Sequence, residues 1–169
     1  MKRYRIARQI YGLFALGLLL ATSGCGFQLR GQAGTNGVPD PLYISGISPI
    51  TDLHRELRRQ MDAAGIALAD SAAAAQASLV INAWERDARV LSVDSRNKAV
   101  EYELEEIVVF TLRGHDGDEW LPATTERVVR IQYRPPTSVL GSARESELQR
   151  QDMLSELVTR ILRRAAAAR

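Results

Sequence analysis

The chain has 169 residues and a formal net charge of +2, with 22 Lys and Arg against 20 Asp and Glu. Four of the positive side chains, Lys2, Arg3, Arg5 and Arg8, lie at the very start, and the remaining 18 basic against 20 acidic residues exclude the strongly basic domain of a general nucleic-acid binder. A single cysteine excludes an internal disulfide framework, and no repeat at solenoid spacing is present.

Residues 1–24 read as a secretory leader. The basic start is followed by the short apolar run Leu13 to Ala21 and then by Thr22-Ser23-Gly24-Cys25. The run is too short for a spanning helix, which needs ~20 residues. Three places before the cysteine stands Thr22, where lipoprotein leaders usually carry Leu. Small residues ahead of the lone Cys25 mark it as a lipidation site and the first residue of the mature protein. A free thiol in an oxidising compartment would otherwise invite stray disulfides. Two or more acyl chains give stable anchoring, since each buried CH₂ contributes ~0.8 kcal/mol.

Residues 25–40 are rich in Gly, Gln, Thr and Asn and read as an extended, lipidated tether. A single domain follows over 41–169. Pro41 to Gly46 reads as a short first strand. Thr51 can cap a helix whose apolar positions Ile50, Leu53, Leu57, Met61 and Ala64 keep helical spacing, with Arg55, Arg58, Arg59 and Asp62 on the other face and Gly65 as the stop.

Ser78 to Val93 reads as a second strand, with Leu79, Ile81 and Ala83 alternating with Val80, Asn82 and Trp84. Asp94 to Lys98 is a polar turn. Ala99 to Leu112 is a third strand, its apolar phase interrupted by Glu106. A carboxylate facing a core costs several kcal/mol unless paired, so a bulge near Glu105 and Glu106 or a solvent-reaching edge is expected. Arg113 to Pro122 reads as a turn, and Glu126 to Tyr133 as a fourth strand with Val129, Ile131 and Tyr133 on one face, ended by Pro135-Pro136. Ser142 with Glu145 makes a capping box. The helix it opens carries Leu148, Leu154, Leu157, Val158, Ile161, Leu162 and Ala165. The order β-α-β-β-β-α predicts an α+β domain with two helices on one face of a four-stranded mixed sheet. The other face is wetter and free to meet a partner.

Catalytic chemistry finds no constellation. His54 flanks the first helix, and His115 with Asp116, Asp118 and Glu119 fits neither a zinc pair nor a twelve-residue calcium loop. No Gly-rich phosphate loop and no Gly-x-Ser-x-Gly turn occurs. Glu101, Glu103 and Glu105 alternate along one strand and so line one solvated face. The chain reads as a non-enzyme with no metal site. Arg86, Arg89, Arg96, Lys98, Arg144 and Arg150 could bind phosphorylated sugars by charge-assisted hydrogen bonds, or simply keep the surface soluble.

Cys25-Gly26-Phe27-Gln28-Leu29-Arg30-Gly31 resembles the mature start of the LptE family of LPS-assembly lipoproteins, which begin Cys-Gly, an aromatic residue, a polar residue, then Leu-Arg. The likeness covers the whole chain. It includes the short strand, a helix containing Leu53-x-x-x-Leu57, Val100-Glu101-Tyr102 opening the third strand, and a final helix entered through Gln151-Asp152-Met153.

The resemblance implies a protein anchored on the periplasmic side of the outer membrane by acyl (palmitate-type) and diacylglycerol lipid on Cys25, with no other cofactor. Gly26 after the cysteine fits onward export. The resemblance also implies a heterodimer with the LptD β-barrel, which the lipoprotein plugs and helps assemble, and binding of lipopolysaccharide on its way to the outer leaflet. Arg96, Lys98 and Arg144 fall near the places where that family's lipopolysaccharide-binding basic residues lie. A cell-envelope lipoprotein adaptor with another protein partner, and no contact with lipopolysaccharide, is the competing class.

Overall fold

The computed structural model describes residues 35–134 and 139–168, with side chains in the last segment from Arg144. The leader, Cys25, most of the tether, and Pro135 and Pro136 lie outside the described residues. No helix among the described residues is long and apolar enough to cross a membrane.

Strand β1 spans Leu42–Ser45 and buries Leu42 and Ile44 alternately. Helix α1 spans Asp52–Ala64. Thr51 Oγ1 accepts the His54 N–H at 3.3 Å, satisfying one donor at the helix start. The stop is Gly65, left-handed at φ 73°, with Ile66 N–H closing onto Met61 O. Leu53, Leu57 and Met61 are fully buried, each burial contributing roughly 1.5–3 kcal/mol. Ile50, expected on this stripe, is 80% exposed, because it precedes the Thr51 cap and the helical period does not reach it.

Strand β2 (Ala77–Val93) runs parallel to β1 and antiparallel to β3 (Ala99–Gly114), which pairs antiparallel with β4 (Glu119–Tyr133). The sheet order is β1-β2-β3-β4. The alternation predicted for β2 holds as far as Ile81. A register shift between Ile81 and Ala83 then leaves Asn82 unpaired and resets the phase. Trp84 therefore joins Leu79 and Ile81 on the core side. Gly46 lies against this bulge: a Cβ there would meet Ile81 O at 2.2 Å.

The expectation of a bulge or edge at Glu106 is overturned. β3 is a central strand and its pairing is unbroken through Glu105↔Asp87 and Glu106↔Arg86. Glu106 is only 2% exposed, and its charge is met by Arg86 on the neighbouring strand. The fourth strand begins seven residues earlier than predicted, at Glu119. Pro122 is tolerated there because β4 is an edge strand and offers a side with no ladder bond to lose. Val129, Ile131 and Tyr133 do share a face, and it is the face turned away from the core.

Helix α2 spans Val139–Ala167. It starts before Ser142, so Ser142 and Glu145 lie inside the helix instead of capping it, and Gln151-Asp152-Met153 falls near its middle. Leu154, Leu157, Val158, Ile161, Leu162 and Ala165 are buried as predicted. Met153 is buried as well, whereas Leu148, on the opposite side of the helix from Leu157, is 56% exposed. Both helices and one face of the sheet share a single apolar cluster. The fold is thus the α+β arrangement expected, in the order β-α-β-β-β-α. On the uncovered face Glu101, Glu103 and Glu105 are held by Ser92, Arg89 and Arg127.

Candidate functional site

The β2–β3 hairpin turn is built on Asp94. Its Oδ1 accepts the backbone N–H groups of Arg96 at 2.8 Å and Lys98 at 2.9 Å, while its own N–H donates to Lys98 O at 2.8 Å. Asn97 takes the left-handed φ of 62°, which Asn tolerates better than most residues. The Lys98 N–H foremost, and Arg96 with it, hold the Asp94 carboxyl below the usual carboxylate range. The turn therefore presents two cations on an organised loop. Arg96 directs its guanidinium back to Asp94 Oδ2 at 3.3 Å, and both side chains are exposed.

Arg144 is exposed early in α2. Ser146 Oγ donates to Gln132 Oε1 at 3.1 Å, tying the start of α2 to the end of β4. The Arg134 N–H donates to Val100 O at 2.7 Å, tying the end of β4 to the start of β3. Arg96, Lys98 and Arg144 consequently lie at the same end of the sheet, although no hydrogen bond or ion pair joins them among the described residues. Val90, Leu91 and Val93 on the same hairpin are 52%, 41% and 52% exposed. Val38, where the tether enters, is buried in the core, and Gly37 packs on Ala166 near the end of α2. The chain thus enters at the end opposite the hairpin turn.

The other arginines divide between the two faces. Arg89 pairs with Glu103 on the uncovered face at 2.8 Å. Arg86 lies on the helix side, 3.2 Å from both Glu106 Oε1 and Asp52 Oδ2, with its guanidinium 4.4 Å over the Trp84 ring. Burial pushes the Glu106 carboxyl up, opposed by Arg86 first, then by the Trp84 indole N–H and Arg150. The sequence marked Glu106 only as a break in an apolar phase. Its position directly opposite Arg86 depends on the Asn82 bulge, which strand periodicity alone does not reveal.

The two histidines stand in separate elements. His54 is buried on α1, its imidazole held below its ordinary value by burial and then by Arg58. His115 stands in the β3–β4 turn with Nδ1 3.2 Å from Ala75 O. Among the described residues no three His, Cys, Asp or Glu side chains group to hold a metal.

A four-stranded mixed sheet with two helices on one face and a cationic hairpin end defines a small α+β domain. Comparison with known proteins places it further. The profile of the LptE family, described as lipopolysaccharide-assembly, matches residues 40–165, and the chain belongs to that family. The LPS-assembly lipoprotein LptE of Photorhabdus laumondii subsp. laumondii is 27% identical over 161 residues, 95% of this chain and 85% of that protein. The LPS-assembly lipoprotein LptE of Pectobacterium atrosepticum is 25% identical over 166 residues, 96% and 85% respectively. Among solved structures, lipoprotein B from Nitrosomonas europaea is similar with a TM-score of 0.69 at 26% identity, covering 84% of this chain and 91% of that one. The rare lipoprotein B from Shewanella oneidensis shares the fold, with a TM-score of 0.66 at 23% identity over 76% of this chain and 95% of that one.

Proposed function

We propose that this chain is a non-enzymatic LPS-assembly lipoprotein. It is anchored through lipid on Cys25 to the periplasmic side of the outer membrane, where it plugs and helps assemble an LptD-type β-barrel, binds lipopolysaccharide and assists its passage to the outer leaflet. The observation that carries this reading is the family match over 40–165, joined to near full-length similarity with two LPS-assembly lipoproteins. Gly37 packs beside the end of α2, and Arg96, Lys98 and Arg144 stand at the opposite end of the sheet. There the cations meet the anionic phosphates and compete with the divalent ions that cross-link them, with no covalent step.

Conditional depletion in the native host tests the reading. Loss of the chain should lower lipopolysaccharide at the cell surface and reduce the folded barrel, and the Cys25→Ala chain should fail to restore either. Unchanged surface lipopolysaccharide and unchanged barrel after depletion would overturn it.

A further inference from the structure

Residues 160–169 carry four arginines and no carboxylate side chain. Arg160, Arg163 and Arg164 line one shallow depression of about 250 Å³ beside the end of α2, together with Glu126 of β4. The carboxylates of this patch lie inward and the guanidinium groups outward. Glu126 is 11% exposed against 61% for Arg164, which it binds at 2.9 Å. Glu156 is less exposed than Arg130 and Arg160, and it pairs with both. Arg164 uses only Nε on its partner, and the exposed Arg163 makes no hydrogen bond or ion pair with a described residue. Most donors of these two guanidinium forks therefore stay open to solvent. The patch sets four guanidinium groups against two carboxylates.

Neighbouring charges do not offset this excess. On α1, beside α2, Asp62 is met by Arg58 and Glu56 by Arg59. Asp152, exposed on α2, stands about 12 Å before Arg160 along the helix axis. Asp116, Asp118 and Glu119 lie about 20 Å from Glu126 along β4, beyond the ~8 Å reach of a charge in physiological salt. Gly37 packs on Ala166 O at the end of α2, and twelve residues separate it from Cys25. Even fully extended, they span no more than about 40 Å. The choice of occupant rests on the lipid proposed for Cys25. A bilayer holding that lipid stays at high effective concentration to the arginines, so an exposed and screened contact suffices. Its phosphodiester headgroups supply the charge and the oxygens that guanidinium forks take up. We propose that the depression formed by Arg160, Arg163 and Arg164 binds the headgroups of anionic phospholipid at a bilayer surface.

The mature chain, from residue 25 and carrying Cys25→Ser, cannot bind through acyl chains. It is sedimented with vesicles of phosphatidylcholine alone, and with vesicles of phosphatidylcholine and phosphatidylglycerol in equal parts. The chain should follow the anionic vesicles and not the neutral ones, and high salt should release it. Arg163→Glu should weaken retention about tenfold, the order expected when two charges are lost at an anionic surface. Its melting temperature should stay unchanged, since no described partner is stranded. Arg163→Gln should act in the same direction and less strongly. Arg96→Ala, Lys98→Ala and Arg144→Ala together should leave retention as it was, which separates this patch from the hairpin end. No preference for the anionic vesicles, retention undiminished by Arg163→Glu, or loss through the hairpin-end substitutions instead would each overturn the proposal. Lipid on Cys25 is read separately, by mass spectrometry of the native chain, so the two readings fail independently.

Discussion

Arg86 faces Glu106 directly across β2 and β3, Nε to Oε1 at 3.2 Å, and the same guanidinium reaches Asp52 in the first turn of α1. One side chain thus ties the sheet, a buried charge and a helix start together. A buried pair of this kind is not itself strong stabilisation, but removing one partner strands the other. Arg86→Met should destabilise the fold by about 2–3 kcal/mol. That lies below the ~3–5 kcal/mol of a fully buried pair because the Arg86 side chain is 34% exposed. Urea denaturation at neutral pH measures it.

The Glu106 carboxyl is raised above its ordinary 4.5 by burial, and the sign of the pH effect follows. A group whose folded value is raised favours the folded state below the unfolded value and loses that contribution as pH rises through the folded one. Relative to Glu106→Gln, the native chain should therefore gain stability as pH falls from neutral through the raised folded value to below 4.5. Asp94, Glu56 and Glu156, whose carboxyls are held down, act in the opposite sense and cancel in the comparison. Paired denaturation curves across this window check the slope.

Gly46 and Gly117 both have positive φ, 79° and 90°, yet only Gly46 meets backbone. Gly117→Ala should cost about 1 kcal/mol of conformational strain. Gly46→Ala should cost about 3 kcal/mol or more, because strain and a 2.2 Å approach to Ile81 O combine and the bulged strand has to shift. Melting temperatures of the two variants rank them.

Leucines on α2 separate in the same way. Leu157 is fully buried and Leu148 is 56% exposed. Leu157→Ala should lose about 2–5 kcal/mol, and Leu148→Ala should stay within about 0.5 kcal/mol of the parent, both by chemical denaturation.

Most of the architecture was legible before the structure. Element order, the Thr51 cap, the Gly65 stop and the buried stripe of α2 are local properties, and local periodicity reports them. The misses arise where the sequence pattern and the three-dimensional register part company. Asn82 shifts β2 by one residue and brings Trp84 inward. Glu106, read as a break, is held by a partner twenty residues away in sequence. Pro122 looked like a turn residue because its edge location is invisible in one dimension. Leu148 counts as one more apolar residue of α2 but lies on the side opposite Leu157. Of the candidate site, the three cations at the hairpin end were named, while the charge cluster around Glu106 needed the packing of α1, α2 and β3 to exist at all.

The cationic end can be tested against lipopolysaccharide itself. Arg96→Ala, Lys98→Ala and Arg144→Ala together should weaken binding about tenfold, on the order of 1.4 kcal/mol shared over three exposed charges, and leave folding unchanged. The loss should shrink in high salt. Binding unaffected by the triple change would remove these residues from the account.

The central claim is the barrel partnership. It is tested most directly by detergent extraction of native outer membrane, capture of this chain, and identification of what accompanies it by mass spectrometry. A large LptD-type β-barrel in about equal amount is the predicted result. A folded, lipidated chain recovered with no barrel, or with a different envelope protein in equal amount, would contradict it and leave an adaptor lipoprotein in its place.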